Sequence, residues 1–113
     1  MIENNKIEVI IKEPHVKLQQ ITIEKDLISI KEKLGGSINV EYIDNGVYML
    51  YTREGKSLNL DPNFLCADLA DIIIGTTIFC RVDTEGELSS LKREDMHLVD
   101  CIINGISVRE VLF

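Results

Sequence analysis

Apolar and polar positions alternate most clearly between Gly35 and Tyr51, GGSINVEYIDNGVYMLY. Asp44, Asn45 and Gly46 separate two apolar runs, and Asn-Gly is the favoured centre of a type I′ turn. The pattern predicts a β-hairpin with Asn45 and Gly46 at its tip. In that register Asp44 pairs with Val47, Ile43 with Tyr48, Tyr42 with Met49 and Val40 with Tyr51. A period of two then gathers Val40, Tyr42, Met49 and Tyr51 on one face. The other face, with Asn39, Glu41, Ile43, Tyr48, Leu50 and Thr52, is mixed. The first face is therefore expected to meet the core.

The same reading extends along the chain. Ile7, Val9 and Ile11 alternate, so Ile7–Lys12 reads as a strand that Pro14 ends. Val16–Ile23 reads as a second strand, paired with the first through a turn at Glu13–His15. Ile23, Leu27, Ile30 and Leu34 follow helical spacing, and Gly35-Gly36 closes that helix. Arg53–Ser57 reads as a turn, Leu58 and Leu60 as a short extended piece, and Asp61-Pro62-Asn63 as another turn. Phe64–Asp71 fits either a loop or one helical turn. Thr76–Val82 is β-branched and aromatic and reads as a central strand, approached by Asp71–Ile74. Asp83–Glu87 is an acidic turn around Gly86. Met96, Val99, Ile102 and Ile103 form the stripe of a final helix, with Ser89 or Ser90 as its cap and Asn104-Gly105 as its stop. The expected fold is α+β: a mixed or antiparallel sheet of about five strands, rich in hairpins, with two packed helices.

A chain of 113 residues with 45% hydrophobic positions fits one domain with its own core. Residues 1–105 are assigned to that domain. Residues 106–113 form an apolar tail, expected to pack on the domain or on a partner subunit. A closed two-fold homodimer through Val108, Val111, Leu112 and Phe113 would cover it. Cys66, Cys80 and Cys101 are odd in number, far apart and set in apolar runs. Buried thiols in a reducing cytosol follow, with no disulfide and no metal site. The N-terminus lacks the pattern of a signal peptide, and no apolar run is long enough to span a bilayer. A cytoplasmic protein is expected.

The net charge of −7 changes the picture of partners. Residues 1–34 carry six acids and six bases, so the excess lies in residues 35–113. Between Ser57 and Ser90 six acids face one base, Arg81. Such a surface repels phosphate backbones, so direct nucleic-acid binding is not expected. Solubility alone is the plainer reading of these charges.

Candidate chemistry is sparse. His97 on the final helix could meet Cys80 or Cys101, as a thiol nucleophile requires. His15 belongs to a turn beside Pro14. Asp68 and Asp71 stand three apart, without the further ligands a metal site needs. No catalytic, metal or cofactor residue is assigned. The best recognition group is the turn after the hairpin, where Arg53 and Lys56 follow Tyr51: two cations and an aromatic ring suit an anion or a nucleotide. The candidate ligand-binding residues are Tyr51, Arg53, Lys56, Asn63 and Arg81.

An ordered set of short motifs carries a resemblance. It runs from Leu34-Gly35-Gly36 through Ile38-x-Val40-x-Tyr42, Glu54-Gly55-Lys56, Leu60-x-Pro62-Asn63 and Asp71-Ile72-Ile73-x-Gly75-Thr76 to Ser90-Leu91. Over about residues 7–100 the chain resembles an uncharacterised domain family, catalogued among the domains of unknown function and common in phages, plasmids and conjugative elements of Firmicutes. It departs at Phe64, where an arginine is expected, and at Lys92 and Arg93, where Thr-Asp is usual. The resemblance implies a small α+β domain in a mobile-element setting. The expected function is a non-enzymatic binding protein that counters host defence by masking a host protein or sequestering a small anionic, nucleotide-like signal molecule. The alternatives are a small cysteine/histidine enzyme and a structural or assembly protein.

Overall fold

The computed structural model describes residues 5–108. Its main sheet is antiparallel at every pairing and holds six strands. β1 (Lys6–Lys12), β2 (Gln19–Glu24), β3 (Asn39–Asp44), β4 (Val47–Tyr51) and β7 (Thr77–Val82) lie in the order β2-β1-β7-β4-β3. A short β8 (Leu88–Ser89) pairs with the far end of β7. β5 (Pro62–Cys66) and β6 (Asp71–Ile74) form a separate two-stranded sheet. The helices are α1 (Leu27–Leu34) and α2 (Asp95–Ile103). The α+β architecture with two helices on a largely antiparallel sheet is as expected.

The main sheet is buried on both faces, which explains its continuous apolar runs. On one face Ile10, Met49 and Phe79 pack with Val99 and Ile102 of α2 and with Phe64 and Ile73 of the β5–β6 hairpin. On the other, Ile7, Val9, Ile11, Leu50, Ile78 and Cys80 pack against Ile30 and Leu34 of α1. A strand such as β4 therefore buries successive residues, Met49 and Leu50, on opposite sides.

This two-sided burial corrects the hairpin faces. Asn45 and Gly46 have φ of 51° and 83°, as a type I′ turn requires, and Asp44 does pair with Val47. A bulge at Ile43 then shifts the register, so Tyr42 pairs with Tyr48 and Val40 with Leu50. Val40 and Tyr42 consequently leave the face of Met49 and Tyr51 and stand 51% and 46% exposed. Ile43 is buried in their place, beside Val47 and Met49.

Other boundaries also move. Ile23 belongs to β2, and α1 starts four residues later, where Asp26 accepts from the backbone N–H of Ser29 at 2.8 Å. Leu27 is exposed, not a core contact. The Glu13–Lys17 turn delays β2 to Gln19, with His15 in the left-handed region. Neither Ser89 nor Ser90 caps α2. Ser89 lies in β8, and the Ser90 hydroxyl accepts from the Glu8 N–H at 2.9 Å. Phe64–Asp71 is neither loop nor helix: it contributes the end of β5, a four-residue turn and the start of β6. Of the tail, Val108 is buried in the core of its own chain, while Val111, Leu112 and Phe113 lie outside the described residues.

Candidate functional site

The turn after β4 is built to hold its shape. Backbone bonds run from Leu58 to Glu54, from Asn59 to Lys56 and from Leu60 to Gly55, giving a compact, helix-like loop. The Thr52 hydroxyl, buried, accepts from the Glu54 N–H at 3.2 Å. The Glu54 carboxylate in turn accepts from the Ser37 N–H at 2.8 Å, tying the loop to the end of α1. Gly55 lies flat on β6, where an added β-carbon would meet the Ile74 side chain at 2.8 Å and its carbonyl at 3.0 Å. A side chain there would push the loop off the strand.

A groove of about 370 Å³ opens between this loop and β6. Tyr51, Arg53 and Lys56 stand on the loop side, with Leu69, Asp71 and Ile72 opposite. Arg53 and Lys56 are exposed, and among the described residues neither forms a salt bridge. The Tyr51 hydroxyl donates to the Glu41 carboxylate at 3.5 Å. Burial first, and the Glu41 charge second, push the Tyr51 phenol above its ordinary range against the opposing pull of Asn39 and Arg53, so it is a neutral donor at pH 7.

The other two candidate residues lie elsewhere and are committed. The Asn63 amide donates to the Lys12 carbonyl at 2.7 Å and the Gly75 carbonyl at 2.8 Å, and its oxygen accepts from Lys12 Nζ at 2.9 Å. It clips β5 to the end of β1. Arg81 is paired with Asp95 of α2. The groove thus unites Tyr51, Arg53 and Lys56, and leaves out Asn63 and Arg81.

A larger groove, about 640 Å³, lies between the Glu13–Leu18 segment and the end of α2. Two of its basic side chains are already engaged. Lys12 Nζ donates to the Glu13 carbonyl as well as to Asn63, and His15 lies 3.3 Å from the Asp61 carboxylate. It offers a weaker site for an anion.

The three thiols are buried and unpaired. Burial pushes Cys80 up to about 12 and raises Cys66 as well. Cys101 Sγ lies 3.8 Å from His97 Nε2, one turn away on α2. Among the described residues no group of three or more metal-ligating side chains gathers, and no helix is long and apolar enough to cross a membrane.

The family described as Domain of unknown function (DUF3846) matches residues 7–102. The chain belongs to that family. The matched DUF3846 region runs from β1 into the last turn of α2 and includes both walls of the groove. No curated protein and no solved structure matches the chain.

Within the DUF3846 fold, one wall of the groove was legible in advance because Tyr51, Arg53 and Lys56 are neighbours in sequence. The other was not. Leu69 and Asp71 reach the site only because β5 and β6 pair, and the run Phe64-Leu65-Cys66 is apolar at every position. Phe64 and Cys66 are buried while Leu65 is 54% exposed, an alternation that residue types alone conceal.

Proposed function

We propose that this protein is a non-enzymatic binding protein of a phage or other mobile element, and that it sequesters a small anionic, nucleotide-like ligand in the groove between the Thr52–Leu60 loop and β6. The observation that carries this reading is the convergence of Arg53, Lys56 and Tyr51 on one concave site, with neither cation in a salt bridge among the described residues. A guanidinium offers a planar fork to phosphate, an ammonium adds a mobile point charge, and the Tyr51 ring offers an aromatic face while its hydroxyl proton is held by Glu41. The setting comes from the family resemblance, which is an argument by analogy.

Isothermal titration of the full chain with nucleoside monophosphates tests the site. Binding in the micromolar range is expected, weakened at least ten-fold in the Arg53→Gln/Lys56→Gln double variant. Both side chains are exposed, so thermal stability should stay unchanged. The ligand should return chemically intact after incubation. Absence of binding at millimolar ligand would refute the reading, and turnover would refute its non-enzymatic part. The cysteine/histidine alternative rests on the 3.8 Å Cys101–His97 contact. Cys101 is only 8% exposed, which leaves a substrate little access to its sulfur.

A further inference from the structure

We propose that the groove selects a guanine base, with the Asp71 carboxylate as its reader; this rests on the anion-binding reading above. The two walls carry opposite charge without neutralising each other. Arg53 and Lys56 stand on the loop, Asp71 stands on β6, and among the described residues none of the three enters a salt bridge. A ligand that satisfies both walls has an anionic end and an end rich in N–H donors.

The rest of the lining narrows the choice. Leu69, Ile72 and Ile74 also line the groove and give it apolar surface, suited to a flat ring. The volume of about 370 Å³ is at the small end for ligand sites and fits one nucleotide. Asp71 Oδ1 accepts from the Ile72 N–H at 2.8 Å, which orients the carboxylate, while among the described residues Oδ2 has no partner. An ionised carboxylate only accepts hydrogen bonds, and each oxygen takes more than one. Guanine presents two adjacent donors, N1–H and the N2 amino group, which match the two oxygens. Adenine presents a donor beside an acceptor at N1, and that acceptor would face the carboxylate unpaired. The phosphate then lies toward Arg53 and Lys56.

The test needs no variant to begin. Titrating the full chain with GMP, IMP, AMP and ribose 5-phosphate should rank GMP first, with AMP at least about ten-fold weaker, the discrimination one bidentate contact supplies. IMP keeps N1–H and loses the amino group, so it should fall between the two. Asp71→Asn should reduce the GMP-to-AMP ratio to near one while ribose 5-phosphate binds as before. Equal affinity for GMP and AMP, with both weakened by Arg53→Gln, would overturn base selection and leave the anion site standing. A GMP preference that survives Asp71→Asn would overturn the role of Asp71. No binding of any of the four would overturn both readings together.

Discussion

Arg81 grips Asp95 through two parallel hydrogen bonds, Nε to Oδ2 and Nη2 to Oδ1, each 2.7 Å long. Asp95 is 1% exposed and also accepts from the Lys92 N–H at 2.7 Å. One carboxylate thus holds the turn that leads into α2 and fastens the helix to β7. Burial alone pushes the Asp95 carboxyl up; the Arg81 and Lys92 hydrogen bonds and the Arg81 charge outweigh it and hold the group below the usual carboxylate range.

That balance sets a pH dependence. A carboxyl whose folded value lies below its unfolded value, near 3.9, adds stability above that pH and loses it as pH falls through the folded value. Asp95→Asn should therefore cost about 3 kcal/mol at pH 7, as breaking a buried pair does. The gap should close as pH falls below about 4. Urea melts of both proteins across pH 2–7 would check it. A gap that stays constant down to the acid end would mean that the carboxylate charge carries no stability.

Gly46 belongs to the same arrangement. Its φ is 83°, and a β-carbon there would collide with Arg81 Nη1, the one guanidinium nitrogen not used by Asp95. Gly46→Val should cost about 1–3 kcal/mol for the strained backbone. It should also disturb the Arg81 grip, so its effect combined with Asp95→Asn should fall short of the sum of the two. Strict additivity in a double-mutant cycle would separate the turn from the ion pair.

How far the fold was legible depends on how local each cause is. Asn45-Gly46 announces its turn because the backbone demand falls on those two residues. The bulge at Ile43 does not announce itself: in a sheet buried on both sides Ile43, Met49 and Leu50 are all inside, so a period of two does not fix the register. Asn63 and Arg81 looked like ligand contacts because polar residues near a turn or in an acidic stretch often are. Their partners, Lys12 and Asp95, are distant in the chain, and no spacing rule connects them. Asp26 is the opposite case, since its cap lies three residues from Ser29 and could have been read directly.

The thiols should be inert while the chain is folded. Cys80 is fully buried and its thiol is pushed up to about 12, so almost no thiolate exists near neutral pH. Labelling with a disulfide reagent at about pH 7.5 should proceed for Cys80 only as fast as the protein opens. Addition of urea should accelerate it in step with unfolding. Rapid reaction of Cys80 in the absence of denaturant would contradict its burial.

The last described residues supply a final measurement. Ser107 Oγ donates to Asp68 Oδ1 at 2.6 Å, and the Val108 N–H donates to Asp68 Oδ2 at 3.2 Å. Val108 is 2% exposed and packs in the core that holds Phe64, Cys66 and Ile102 of the same chain. The segment after α2 therefore closes the domain over the β5–β6 turn. Val108→Ala should cost about 2 kcal/mol, the burial of a valine side chain. Because the contact is within one chain, the melting temperature should fall without dependence on protein concentration. Light scattering should give the same mass for the variant and the parent. A variant whose loss of stability vanishes at high protein concentration, or whose mass is halved, would show instead that this residue works across a subunit boundary.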